Sequence, residues 1–336
     1  MDLSNPRPDR PRIVRRLTAA LLLATLFVSA CAPQEDTRPV LRVASQKGGT
    51  RALMLAANAL EGAPYRVEWS EFPSAQTLLE ALGAGAVDLG AVGDAPFLFA
   101  YANDPRLRIV HAYQTGSDGA SVAVVVPAAS PLQSARDLKG RRIATGRGSI
   151  GHYLALRLLA REGLTPGDAT FVFLSPGDAK AALASGSVDA WATWGSYIGL
   201  ERLHGHGRVL ADGRGLMGNY GFEASTIAAI AAHRPLIADF VARLSRAEAW
   251  EASHPDDYAA VLARETGLPP DVAGDTVRQS RPVAVRVSDS VISVEQATLK
   301  TFVAAGLVSR PPDLGSAFDR SFNPADKSNT TSAARK

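Results

Sequence analysis

The sequence predicts an α/β protein built as two similar lobes. Three observations predict it. Short apolar runs alternate with helical periods from residue 40 onward, and the pattern restarts after a small-residue, proline-containing stretch at 127–131. Leu82-Gly-Ala-Gly-Ala-Val-Asp-Leu-Gly90 is also echoed by Leu183-Ala-Ser-Gly-Ser-Val-Asp-Ala-Trp191, each reading as a helix end, small residues, Val-Asp and a strand. Repeated strand–helix alternation predicts a mainly parallel sheet. With 336 residues, 46% of them hydrophobic and 21% charged, the chain is long enough for a full-sized core.

The N-terminus reads separately. Arg7, Arg10, Arg12, Arg15 and Arg16 precede the apolar run 17–28, and Ser29-Ala30-Cys31 follows. A basic start, a short apolar centre and small residues at a cleavage point make an export signal, and so short an apolar run cannot span a bilayer as a helix. Val28-Ser-Ala-Cys31 resembles the bacterial lipobox, in which the cysteine is lipid-modified and becomes the new N-terminus. Residues 31–39 suit a tether. Cys31 is the only cysteine, so no intramolecular disulfide can form and the core must supply the stability. Five arginines and two aspartates leave with residues 1–30, which takes 36 basic and 33 acidic side chains to 31 of each. A neutral mature chain gives no support to nucleic-acid binding.

In chain order, 40–45 reads as a strand, 46–50 as a glycine-rich turn, 52–60 as a helix and 65–71 as a strand of period two. Ser74 can cap a helix over 75–82, where Leu78, Leu79 and Leu82 share a face. Residues 87–93 form a short apolar strand, Asp94 caps the next helix, and Pro96 fits its first turn. Strands follow at 107–113 and 121–126. After the crossing, strand 142–145 runs into a turn in which Gly146, Gly148 and Gly151 match G-x-G-x-x-G, and helix 153–162 begins at once. Backbone N–H groups of such a turn, with the helix dipole behind them, favour an anion. Strand 170–174, helix 178–185 and strands 188–193 and 208–211 complete the second lobe. Residues 221–231 are strand-like and return to the first lobe, followed by helices at 235–253, 256–266, 270–279 and 294–305. The expected division is lobe 1 over 40–126 plus 221–322, lobe 2 over 127–220, and a polar, disordered tail over 323–336.

A family resemblance now emerges. Gln46-Lys-Gly48, Glu71-Phe-Pro73, Leu79-Glu-Ala-Leu82, Val87-Asp-Leu-Gly90, Gly93-Asp-Ala-Pro96, Asp137-Leu-Lys-Gly140, Ser149, His152, Leu174-Ser-Pro-Gly-Asp-Ala179 and Val188-Asp-Ala-Trp-Ala192 stand in collinear order over 40–312. Together they resemble successive motifs of the aliphatic-sulfonate-binding proteins of ABC importers, within the nitrate, sulfonate and taurine family. The resemblance implies a type II periplasmic-binding fold whose lobes close over a small anion. It implies partners as well: a permease with its ATPase, and the membrane through a lipid anchor. Such a protein is expected to be exported, monomeric and free of cofactor.

Ligands in open α/β sheets sit beyond the carboxyl ends of strands. Three helix starts lie at such ends, in the turns 46–51, 93–96 and 146–152. The candidate ligand set is therefore Gln46, Gly49, Thr50, Asp94, Arg147, Gly148, Ser149, Gly151 and His152, with Thr50, Ser149 and His152 as the side-chain donors. Trp191 and Trp194 wall an apolar ligand tail, although three-residue spacing keeps them off one strand face, and Asn219 and Tyr220 form the opposite wall. Two departures from the family pattern stand out. Gly148-Ser149-Ile150-Gly151 has one hydroxyl fewer than a serine run, and Gly195-Ser196 follows Trp194 where relatives carry Asp-Pro, which disfavours an amino-sulfonate such as taurine. Nitrate, taurine and a thiamine-precursor pyrimidine are the alternative ligands within the family.

A nucleotide-dependent enzyme using residues 146–151 is the distant alternative. Its fingerprint wants an acid after the next strand, where this chain has Ser175-Pro176. His204 and His206 lack a third ligand at metal-binding spacing, and no G-x-S-x-G, H-E-x-x-H or phosphate-loop signature occurs.

Overall fold

Two mixed β-sheets, each covered by helices on both faces, carry the described residues, 36–46 and 49–324 of the computed structural model. The export signal, Cys31, most of the tether and residues 325–336 lie outside them. In the first sheet β1 (Val40–Gln46) runs parallel to β2 (Arg66–Phe72) and β3 (Leu89–Gly93). β4 (Leu107–Thr115), β10 (Tyr220–Thr226) and β11 (Pro282–Val285) complete it in the order β11-β4-β10-β3-β1-β2. The second sheet has the order β7-β6-β8-β5-β9, from β5 (Val122–Pro127), β6 (Arg142–Thr145), β7 (Thr170–Phe173), β8 (Ala190–Trp194) and β9 (Gly207–Asp212).

Helices α1 (Thr50–Ala56), α7 (Ile227–Glu251) and α8 (Pro255–Thr266) cover one face of the first sheet around Leu41, Val43, Met54, Ile237 and Phe240. The other face packs Leu78, Leu82, Phe97, Phe222 and Phe302 beneath α2 (Ala75–Gly83), α3 (Asp94–Tyr101) and α10 (Asp289–Ala304). In the second sheet α4 (Ile150–Arg161) covers Ile143 and Ala192 with Leu154 and Leu158, and α5 (Pro176–Ala184) and α6 (Ser196–His204) cover Val125, Ala144 and Trp191. Each such Leu, Ile, Val, Phe or Met side chain contributes about 1.5–3 kcal/mol by leaving water. The C-terminal helices touch both halves. α9 (Pro270–Ser280) meets α6 through Arg202–Asp275 at 2.7 Å, and Phe302 of α10 lies 5.9 Å from the Tyr153 ring of α4.

The sheets differ from the sequence expectation in ways that have local causes. The expected parallel sheet is mixed, because β10 returns from the second sheet and runs antiparallel between β3 and β4. Val122–Pro127, expected with lobe 1, pairs antiparallel with β8 and β9 in the second sheet, so the chain crosses at 116–121 and the proline-containing stretch at 127–131 merely follows β5. The strand-like run 221–231 stops at Thr226, whose hydroxyl accepts from the Ala229 N–H and caps α7. α7 continues past His233 with a kink, where Pro235 supplies no N–H. Asn323, expected in a disordered tail, is held, since its side chain both accepts from and donates to the Val287 backbone.

Candidate functional site

A cleft of about 270 Å³ lies between the two sheets, and helix starts from both halves face it. Thr50 of α1, Ala75 and Gln76 of α2, Pro96 of α3, Ile150 of α4 and Ser196 and Tyr197 of α6 all line it. Helix starts leave backbone N–H groups without intrahelical partners, and those groups carry partial positive charge. Sequence reasoning expected three of these starts. The α2 start was expected as a helix cap at Ser74 but not as part of the cleft, and α6 was not expected, because Ser74-Ala-Gln and Gly195-Ser-Tyr have no distinctive glycine pattern.

The opening of α4 is the most elaborate of them. Gly148 at φ 68° turns the chain, and Ser149 then caps the helix by accepting the His152 N–H at 3.0 Å. The Thr145 hydroxyl donates to the Ala192 carbonyl at 3.0 Å and lies 3.1 Å from the Ser149 hydroxyl. With the Thr145 proton spent on that carbonyl, the Ser149 proton points to Thr145 or into the cleft. Two of the three glycines serve packing. A Cβ on Gly151 would sit 2.4 Å from the Ala192 carbonyl oxygen, and one on Gly148 would sit 2.2 Å from the Phe99 ring.

The structure brings Gln46, Gly49, Thr50, Ser149, Trp194, Asn219 and Tyr220 of the candidate set together on the cleft wall. It places the other six elsewhere. His152 is buried, its Nδ1 accepts the Gly148 N–H at 3.1 Å, and its ring lies edge-on to Phe171 and Phe173. Burial, aided by the Arg147 charge, pushes its pKa down to about 4, so it is a neutral brace of the turn rather than a ligand donor. The Arg147 guanidinium lies 4.1 Å over the Phe173 ring, and its carbonyl accepts from Gln76 at 3.4 Å. Gly148 and Gly151 are spent on the close approaches just described. Asp94 is fully buried in the first turn of α3, not at its cap, with Gly93 in the cap position; burial pushes its pKa up to about 7. Trp191 packs in the core of the second sheet, because the period of two sends Trp194 to the opposite face.

Residues not named from sequence fill the gaps. Tyr113 and Thr115 of β4, Ser121 of the crossing, Met217, and Thr276, Gln279 and Ser280 of α9 complete the lining. Tyr197 stands perpendicular to Trp194 at 6.0 Å and extends its aromatic wall. The only usable signal was Tyr197 itself, an aromatic just past the expected strand. No Asp, Glu, Lys, Arg or His occurs among the described lining residues. Nor do the described residues contain a His, Cys, Asp and Glu group able to hold a metal ion, and His204 instead meets Asp271 at 3.1 Å. No described helix is long and apolar enough to cross a membrane.

Comparison with known proteins points one way. Residues 54–213 match a family model described as the periplasmic substrate-binding protein of a phosphonate ABC transporter. The chain is 32% identical over 306 residues to a protein of Escherichia coli (strain K12) described as aliphatic-sulfonates-binding, covering 90% of this chain and 94% of that one. The alkanesulfonate-binding protein of Xanthomonas axonopodis pv. citri, solved bound to MOPS, superposes with a TM-score of 0.77 at 34% identity, over 84% of this chain and 99% of its own. The periplasmic aliphatic sulphonate-binding protein of E. coli gives a TM-score of 0.73 at 31% identity, over 84% and 92%.

Proposed function

The chain belongs to the aliphatic-sulfonate-binding proteins of ABC importers, and from that premise we propose that its cleft captures a small alkanesulfonate for delivery to a permease. It is a binding component with a type II periplasmic-binding fold, not an enzyme. The observation that carries the ligand assignment is a described lining rich in hydroxyl, amide and backbone donors and free of charged side chains. A sulfonate spreads one negative charge over three weakly basic oxygens, which neutral donors and helix dipoles can satisfy. A phosphonate near its second ionisation would bury charge without a partner, at a cost of several kcal/mol. An ammonium group, as in taurine, would meet no carboxylate among the described lining residues. Nitrate would leave most of the cleft unfilled.

In this reading the Thr50 and Ser149 hydroxyls and the Gln46 and Gln76 amides face the sulfonate oxygens. Trp194, Tyr197, Tyr220, Met217 and Ile150 enclose the alkyl tail. Residues 40–116 with 220–322 move against 121–213 as two lobes, and a ligand touching both favours the closed form. Outside the described residues, Cys31 carries the lipid after export, and the anchored protein works as a monomer; an unmodified Cys31 in the purified membrane form would contradict that part.

A ligand panel tests the substrate. Ethanesulfonate at ~100 times its Kd stabilises the protein by about 2.7 kcal/mol, read as a rise in Tm. A rise with nitrate, taurine, a phosphonate or a pyrimidine, and none with any alkanesulfonate, would overturn the assignment.

A further inference from the structure

Beneath the cleft, on the face of the first sheet that α1 and α7 cover, lies a buried group of acids that simple ligand contact does not explain. Glu223 on β10 is fully buried and sits opposite His111 of β4 and Ala91 of β3 in the ladders. Its Oε1 lies 3.1 Å from the Thr50 hydroxyl, which lines the cleft, and its Oε2 has no hydrogen-bond partner. Among the described residues, no Lys or Arg bonds to it. His111 Nε2 is held by both oxygens of Glu248 on α7, at 3.1 and 3.0 Å. Glu251 of α7 is buried, with its Oε1 unpartnered. Tyr113 of β4 reaches the cleft, Tyr258 of α8 lies by Glu251 and Tyr113, and Asp94 at the start of α3, the helix on the opposite face, acts on Tyr113 and on Glu295 of α10.

We propose that Glu223 is a positioning residue for the anion: it holds a proton, donates it to Thr50 Oγ1, and so frees the Thr50 hydroxyl to donate into the cleft. The inference rests on the anion reading above and deepens it. An ionised Glu223 can only accept. Thr50 must then spend its proton on Glu223 and turn lone pairs toward the anion. A protonated Glu223 reverses that bond, and Thr50 becomes one of the neutral donors the cleft depends on. Nothing is consumed; one proton stays on the protein and the bound anion sees an O–H group. Burial first, and the like charge of Glu248 after it, push the Glu223 pKa up to about 8 against the opposing Thr50 hydrogen bond. The relay is therefore set at neutral pH and lost in mild alkali.

A sulfonate stays a monoanion throughout this range, so the pH dependence of its binding reports the protein. The experiment titrates ethanesulfonate by calorimetry from pH 6.5 to 9.5 with the full processed chain, its Glu223→Gln variant and its Thr50→Val variant. Infrared spectra of the unliganded proteins over the same range read the carbonyl stretch of the protonated carboxyl as the difference between wild type and Glu223→Gln.

The wild type is expected to lose affinity about tenfold per pH unit above about 8, as one required proton demands. Glu223→Gln, whose amide N–H donates at every pH, gives a shallower profile than the wild type, the remaining slope being the repulsion from the other buried acids. Thr50→Val binds more weakly and is likewise shallower than the wild type. A slope in Thr50→Val as steep as that of the wild type overturns the relay and leaves simple charge repulsion. The absence of the Glu223 band at pH 7 overturns the proposal whatever the ligand, and needs no variant to bind. Failure of ethanesulfonate and every other alkanesulfonate to bind at pH 6.5, with the band present, overturns the ligand reading and this inference with it.

Discussion

Ser149 concentrates two tasks in one hydroxyl. Its oxygen accepts the His152 N–H and caps α4, while its proton is available to Thr145 or to the cleft. Ser149→Ala removes both. The lost cap costs about 1 kcal/mol of stability, and the lost donor to a charged oxygen weakens ethanesulfonate binding roughly tenfold or more. Denaturant melts and calorimetry on one preparation separate the two, and an unchanged Kd beside a lowered stability would leave Ser149 a cap alone. The same turn shows which residue roles sequence can reveal. A serine before a helix and glycines in a tight turn announce their backbone needs, so Ser149, Gly148 and Gly151 were legible as a built turn. The place of His152 in a turn at a helix start makes it a candidate donor, but the structure gives its ring another task. Its partner, the Gly148 N–H four residues back, forms only once the turn has closed.

Among the elements, the two crossings between sheets bear most directly on function. Gly119, at φ +93°, lies against the second crossing: a Cβ there would meet the Gly213 carbonyl oxygen at 2.3 Å, and its own carbonyl accepts the Gly213 N–H at 3.2 Å. Gly119→Ala must push the two crossings apart. We expect a loss of about 1–3 kcal/mol in stability and a ligand-free protein with a larger radius of gyration by small-angle scattering. Wild-type scattering in both the free and ligand-bound states would remove the crossings from any hinge role. Strand and helix existence was largely legible, since β1, β2, β6, α2 and α8 follow the apolar period closely. Sheet membership was not. Val122–Pro127 reads as a buried strand from its valines, but which sheet it joins is decided by ladders to Trp194 and Asp212, far away in sequence. α6 was hidden for a related reason: Gly195 at φ 55° breaks the strand directly into a helix with no capping side chain.

The whole molecule combines an uncharged described cleft with a set of buried acids behind it. Asp94 is pushed up to about 7, Glu223 and Glu251 to about 8, and Glu295 well above the carboxylate range, all chiefly by burial. Such a set places no cation at the ligand, and once ionised it would repel an anion. The described lining offers many weak donors from two lobes and no charged side chain. Such a lining favours alkanesulfonates over phosphonates, the ligand class named by the matching family model. Calorimetry of ethanesulfonate against ethylphosphonate at pH 8, on the processed protein, tests it most directly. The sulfonate is expected to bind at least ~100-fold more tightly, a difference of about 2.7 kcal/mol set by the unpaired second charge. Equal or tighter binding of the phosphonate would contradict it.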